Sequence, residues 1–299
     1  MWSPMADTPP PTDEQSDKYP PESGRRRFVK GMVGAGALAS AATAGELVVD
    51  ATTDQSGVGG GGATYVGINN VDGPAGRPMP LLPIEIDDGA LKGVWPEVVE
   101  KSKGDRTYRI AEEELGGMTY SQRWFQYCGL EVTEGLHPDP DRDPYLRSAG
   151  RYAWQSDLDD GAKLRVEQFR DYEEWGNGIG RDGLGKPALA TWRSQGDVTT
   201  PIQVVVFRTP ELPKMIAGDG EYTALPERVR TFLEAATADG FMAWINKCTH
   251  LCCNPGYKTI PGSADFGAEN LVYCNCHQSI YDPFHPVEKT FVARPRPLG

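Results

Sequence analysis

From about residue 160 onward, apolar and polar residues alternate at two distinct periods. Lys163-Leu164-Arg165-Val166-Glu167 alternates every second residue, the period of a half-buried strand. Ala188-Leu189-Ala190-Thr191-Trp192 follows a Gly185-Lys186-Pro187 turn, and Ile202-Gln203-Val204-Val205-Val206-Phe207 is rich in the β-branched residues that suit a pleated surface. Over residues 225–238 the period changes. Val229, Phe232, Leu233 and Ala236 recur at helical spacing and predict one helix. Phe241-Met242-Ala243-Trp244-Ile245 predicts a further strand, which runs straight into a cysteine-rich segment. Trp192 and Trp244 are expected in the core. Residues 65–150 mix short apolar runs with acidic and proline-rich loops such as His137-Pro138-Asp139-Pro140-Asp141, and no strand pairing is readable there.

The N-terminal part has no such pattern. Residues 1–24 are polar and proline-rich and are expected to be disordered. Residues 25–49 open with Arg25-Arg26-Arg27-Phe28-Val29-Lys30 and continue as a run of small apolar residues. Basic residues ahead of a short apolar stretch make an export signal, and this Arg pair resembles the twin-arginine pattern. Ala42-Thr43-Ala44 offers a cleavage site. The preferred reading is retention as an anchor: residues 31–49 would reach about 28 Å as a helix at 1.5 Å per residue. That barely spans a bilayer core, with Glu46 inside it. Residues 50–64, with four consecutive glycines, read as a flexible linker.

Composition narrows the function. At 39% hydrophobic, the chain is too polar for a polytopic membrane protein, and its 35 glycines and 25 prolines favour loops and short strands over long helices. Asp and Glu number 42 against 30 Lys and Arg, a net charge of −12 that would repel a phosphate backbone and argues against nucleic acid as a partner. An Asp-rich, Lys-poor surface suits very high salt, where screening removes its self-repulsion.

The chemistry is concentrated late in the chain. Five of the six cysteines fall between Cys248 and Cys276, together with two of the four histidines. They form two motifs, Cys248-Thr249-His250-Leu251-Cys252-Cys253 and Cys274-Asn275-Cys276-His277-Gln278-Ser279-Ile280-Tyr281. Each offers one cysteine and one histidine, a donor set for zinc or for iron–sulfur chemistry. Zinc knuckles use similar spacings. They need neither the additional cysteine pair nor the Ser-x-Tyr that follows the second motif.

These motifs resemble the Rieske family, in particular its cytochrome bc-type subgroup and the members from halophilic archaea, whose pattern is C-T-H-L-G-C followed by C-P-C-H-G-S. The resemblance covers residues 180–299 and the export signal. It implies a mainly β protein: a Rieske-type antiparallel β-sandwich base over residues 65–245, a small cluster-binding subdomain over 246–285, and an exit strand with a proline loop over 286–299. It implies one [2Fe–2S] cluster per chain, with Cys248 and Cys274 on one iron and His250 and His277 on the other. Cys253 and Cys276 fall at the subgroup's disulfide, which leaves Cys252 free or paired with Cys128. Ser279 and Tyr281 fall at hydroxyl donors to the cluster sulfurs, and Leu251 at an apolar shield. Gly185-Lys186-Pro187 with Arg193 resembles an upstream strand, and Lys289-Thr290-Phe291 through Pro295 and Pro297 the downstream strand and loop. Cys252, Asn275 and Gln278 replace the usual Gly, Pro and Gly, and Pro261-Gly262-Ser263-Ala264-Asp265 reads as an insertion. The family usually continues with further strands beyond this point; either the form is shortened or residues 65–150 supply them. His137 and His285 are expected to be solvated in loops, with His285 at the edge of the site.

The function so implied is that of a Rieske subunit accepting one electron, coupled to a proton at His277, from quinol bound with a cytochrome b-type membrane subunit. A haem or copper protein would take the electron onward, at the outer face of the cell membrane. The alternative is the Rieske small subunit of a molybdenum oxidoreductase such as arsenite oxidase; the tyrosine at 281 favours the first. An oxygenase ferredoxin is disfavoured by the export signal and the extra cysteine pair. Replacing both Arg25 and Arg26 with lysine is expected to hold the protein in the cytoplasm, as read by protease accessibility in intact cells. Normal arrival at the outer face would remove the twin-arginine reading.

Overall fold

A computed structural model describes residues 61–103 and 106–293. The expected tail, the export signal or anchor, residues 50–60 of the linker, Pro295 and Pro297 lie outside the described residues. The first strands are β1 (Gly61–Asp72), β2 (Met79–Pro80), β3 (Ile84–Asp87), β4 (Ala90–Gly93), β5 (Val98–Lys103), β6 (Arg106–Leu115), β7 (Met118–Ser121) and β8 (Arg147–Ser148). After them come β9 (Lys186–Trp192), β10 (Ile202–Arg208), helices α1 (Leu212–Ala217) and α2 (Glu227–Ala236), and then β11 (Phe241–Ile245), β12 (Gly256–Tyr257), β13 (Val272–Cys274) and β14 (Ser279–Ala293). The fold is mainly β, and the strand pairings are antiparallel. No helix among the described residues is long and apolar enough to cross a membrane.

Two sheets build the core, in the orders β12-β13-β14-β1-β2 and β11-β10-β9-β8. Phe207 of β10 joins them, its ring 4.8 Å from Tyr257 on β12 and 5.9 Å from Phe284 on β14. Every residue of β11 is buried, as its uninterrupted apolar run predicts, and Trp192 and Trp244 are fully buried. The expected helix is α2, and Val229, Phe232, Leu233 and Ala236 are its buried face. Phe232 packs on Trp124 at 5.3 Å.

The longest pairing joins the two ends of the described chain, from Gly61 opposite Ala293 to Asp72 opposite Ile280. Its ladder breaks where Gly67 faces Val287 but Asn69 faces Asp282. The intervening stretch of β14 contains Pro283 and Pro286, which have no N–H to give, so the strand bulges there. That bulge turns Phe284 into the core.

Four expectations need correction. Gly61, Gly62, Ala63 and Thr64, expected in the linker, begin β1, because β14 offers them a full ladder. Residues 163–167 form only isolated bridges, Lys163 to Arg147 and Arg165 to Ala90. The Gln168 side chain then accepts from Arg165 N at 2.9 Å and closes a 3-10 turn over Val166–Phe169. The short helix α1 was not expected; Gly218, in a left-handed conformation at φ +72°, ends it. The division at 285/286 falls inside β14, so one strand serves both the second motif and the exit. Residues 65–150, unreadable in sequence, supply most of β1 and all of β2 to β8.

Gly93 shows how tightly the base is packed. A Cβ there would lie 2.8 Å from Trp192 Cδ1, and Trp192 Nε1 donates to the Gly93 carbonyl at 3.3 Å. Gly93→Ala is expected to lower stability by about 1–3 kcal/mol through overpacking. Urea unfolding followed by tryptophan fluorescence measures this, and an unchanged midpoint would mean the indole has room to move.

Candidate metal centre

The first motif leaves β11 at a fixed point. Asn246 is buried and its N–H donates to Gln203 O at 2.8 Å, extending the β11–β10 ladder by one residue. The Tyr127 hydroxyl then donates to Lys247 O at 3.0 Å. Beyond this the chain folds back on itself: Cys252 N donates to Cys248 O at 3.1 Å and Cys248 N to Cys253 O at 2.7 Å. Closing so small a loop requires a left-handed residue, and Cys252 has φ +67°. An L side chain pays about 1 kcal/mol there.

The second motif is the tip of a hairpin. Val272 faces Tyr281, Tyr273 faces Ile280 and Cys274 faces Ser279, with residues 275–278 as the turn. Gln278 closes it in the left-handed region at φ +61°. Gly73 supports the turn from beneath, and a Cβ at 73 would sit 2.6 Å from Ser279 Cα.

Between loop and hairpin, the four expected ligand residues meet in two pairs. The Cys248 and Cys274 thiols are buried, free and in hydrogen-bonding contact. The rings of His250 and His277 stand perpendicular, 4.8 Å apart at their centroids. His277 is exposed at the hairpin tip, and Leu251, expected as a shield, is itself 58% exposed. The expected Cys253–Cys276 disulfide is present, and Cys252 pairs with Cys128. Cys274 Sγ also lies within 4.8 Å of the Cys253 and Cys276 sulfurs. Those two sulfurs are spent in a disulfide and carry no thiolate charge, so of these three only Cys274 is open to a metal.

The electrostatics favour an anionic sulfur. The Cys248 thiol is held down to about 5, first by the hydrogen bond from Cys274, then by the Tyr281 hydroxyl and the backbone N–H of His250, against the opposing effect of burial. Cys274 is pushed up, since it supplies the proton its neighbour's thiolate accepts. The Tyr281 oxygen lies 3.2 Å from Cys248 Sγ and accepts from Thr249 N at 3.1 Å. Thr249 Oγ1 donates its own proton to Arg77 O at 2.6 Å, so the single Tyr281 proton has two acceptors in reach, Thr249 Oγ1 at 3.1 Å and Cys248 Sγ at 3.2 Å, of which the ionised sulfur is the stronger.

One polar atom at the site has no partner. His250 Nδ1 is buried and unbonded, while the buried Ser279 hydroxyl lies near enough to Cys248 to help hold its thiol down. A buried polar atom left so costs about 1–3 kcal/mol. A metal ion at Nδ1 would remove that cost, and the Ser279 hydroxyl beside Cys248 is placed to donate to sulfur, so these residues fit a metal–sulfur group.

Sequence reasoning did not single out Thr249, Arg77 or Tyr127. Thr249 lay in plain view inside the first motif, while nothing local marked the other two. It also misplaced His285, which sits on β14 with Nδ1 2.8 Å from Asp282 Oδ2. Its ring lines a separate cavity of about 220 Å³ with Tyr222, Glu211 and Arg181. His137 is exposed, as expected. No protein-family model, no curated protein and no solved structure matches the chain.

Metal-free protein unfolded without reductant is expected to titrate two thiols per chain, from Cys248 and Cys274. Four thiols would mean that one of the two bridges does not form in solution.

Proposed function

We propose that the chain is the Rieske iron–sulfur subunit of a quinol-oxidising, cytochrome bc-type respiratory complex, and that its two facing sheets are the β-sandwich base of that family. The observation that carries the reading is the pairing of two free buried thiols and two facing imidazoles across loops tied by Cys253–Cys276. The unbonded His250 Nδ1 and the Ser279 hydroxyl beside Cys248 add to it. Cys248 and Cys274 would hold one iron and His250 and His277 the other. Bound there, a [2Fe–2S] cluster supplies a one-electron acceptor in the upper part of the roughly −150 to +300 mV range of such centres.

The protein's own residues do the rest. Tyr281 donates to Cys248 Sγ and Ser279 offers a second donor, and both favour the added negative charge of reduction. His277, exposed at the hairpin tip, presents its outer ring nitrogen to accept the proton of a quinol hydroxyl. The exposed Leu251, next to His250, gives the tip an apolar edge suited to a partner within the membrane. Residues 31–49 would anchor the chain at the outer membrane face, and a haem or copper protein would take the electron onward.

Chain purified from solubilised membranes is expected to carry two irons and two acid-labile sulfides, to show an electron-spin signal when reduced, and to bring a haem-containing b-type subunit with it. Stoichiometric zinc without iron would overturn the cofactor, and a molybdenum subunit in place of the haem protein would overturn the partner. Tyr281→Phe removes one hydroxyl and little volume. A hydrogen bond to a charged acceptor is worth roughly 1.5–3 kcal/mol, of which about 1–2 would distinguish the two redox states. At about 59 mV per tenfold change for one electron, the potential is expected to fall by about 40–90 mV. Film voltammetry reads the shift, and an unchanged potential with the cluster intact would deny Tyr281 its tuning role.

A further inference from the structure

The first ligand loop is held at both ends by one dipeptide from a distant part of the chain. At its start, Tyr127 donates its hydroxyl to Lys247 O, the carbonyl just before Cys248. At its end, Cys128 is bonded to Cys252 across a separation of 124 residues. Ligands Cys248 and His250 lie between these two points.

The dipeptide is itself built for the task. Cys128 and Gly129 both take left-handed conformations, at φ +56° and +79°, the central pair of a tight turn in which cysteine is the strained member. Leu130 N donates back to Tyr127 O at 3.0 Å and fixes the turn. Tyr127 is buried beneath the Arg77 guanidinium, which lies 5.0 Å from its ring centroid. Arg77 also reaches the loop directly, since its carbonyl accepts from Thr249 Oγ1. The start, middle and end of the loop are thus tied to one cluster of Arg77, Tyr127 and Cys128.

We propose that Tyr127-Cys128 is a positioning clamp that keeps the Cys248–Cys252 loop in its ligating shape, so that the centre binds its iron more tightly and in a single geometry. The clamp rests on the reading of this loop as an iron-binding loop. Cys252 occupies a position whose φ of +67° favours glycine, and glycine there would leave the loop free to open. Cysteine accepts the strain and gains a covalent hold. Groups that orient metal ligands typically contribute 10–100-fold to metal affinity.

The test compares the full chain with Cys128→Ser/Cys252→Gly, in which glycine keeps the left-handed turn without strain, and with Tyr127→Phe, which removes only the hydroxyl. In the double variant, amides of residues 248–253 in metal-free protein are expected to exchange about tenfold faster. Iron release from loaded protein to a chelator should be about 10–100-fold faster. The electron-spin signal of the retained centre should broaden as His250 samples more than one orientation. Tyr127→Phe should act in the same direction with both disulfides intact by mass. A lower melting temperature with unchanged loop exchange, iron release and signal would assign the bond to general stability and overturn the clamp. If the parent chain takes up no iron from ferrous ion and sulfide, the metal reading fails, while the exchange measurement still decides whether the dipeptide holds the loop.

Discussion

The site depends on one buried hydroxyl. Tyr281 belongs to β14, the strand that pairs with β13 on one side and β1 on the other, so its position is set by the sheet. Its oxygen meets Cys248 Sγ, Thr249 N and Thr249 Oγ1, all in the loop that leaves the other sheet. This is the point at which the two halves of the donor set are placed relative to each other. It falls on a hydrogen bond to sulfur, which is weak between neutral groups and about twice as strong when the acceptor is ionised. The held-down Cys248 thiol therefore belongs to the same arrangement as the tyrosine: the charge strengthens the contact, and the contact stabilises the charge.

Both loops close through residues in the left-handed region, and neither uses glycine. Cys252 and Gln278 adopt a backbone that glycine would take without strain. The strain, on the order of 1 kcal/mol at each, persists only because the surroundings hold the turns. At Gln278 the holding comes from the Cys274–Ser279 register and from Gly73 beneath. At Cys252 it comes from the bond to Cys128. Both turns thus take a path that glycine would allow, and strand pairing and a covalent contact secure it.

How much was legible in the chain follows from the range of the interactions. Strands β9, β10 and β11 and helix α2 were readable because each declares itself within a dozen residues, by period and by β-branched content. The two motifs were readable because each is compact. Within residues 65–150, the hairpins β3–β4, β5–β6 and β6–β7 pair with near neighbours and went unread because their runs are polar and acidic, whereas β1 went unread because it finds its partner more than two hundred residues away. The same limit hid Tyr127 and Arg77, whose contributions at the site are a hydroxyl to a backbone carbonyl and a backbone carbonyl to a hydroxyl. Residues 163–167 misled for the opposite reason. Their alternation buries Leu164, but the Gln168 side chain offered Arg165 N a nearer partner than any strand.

The donor set is graded in its access to solvent, and the grading bears on what it can do. The thiols are 2% and 1% exposed, His250 is intermediate, and His277 is open at the tip. A thiolate at Cys248, so buried, is shielded from oxidants and from competing metals, while its charge is offset by Cys274, Tyr281 and the His250 amide. An imidazole at the surface keeps one nitrogen free to exchange protons with whatever docks there. In the proposed centre the added electron would enter a site whose sulfur end is sealed and whose histidine end faces the partner. Electron and proton would then arrive through the same few ångströms of surface. A site buried at both ends could pass an electron by tunnelling but would have no route for the proton, and one exposed at both ends would lose the low-dielectric setting that makes the Tyr281 contact matter. The hairpin achieves the gradient simply, by placing Cys274 as the last residue of a strand and His277 three residues further on, in the turn.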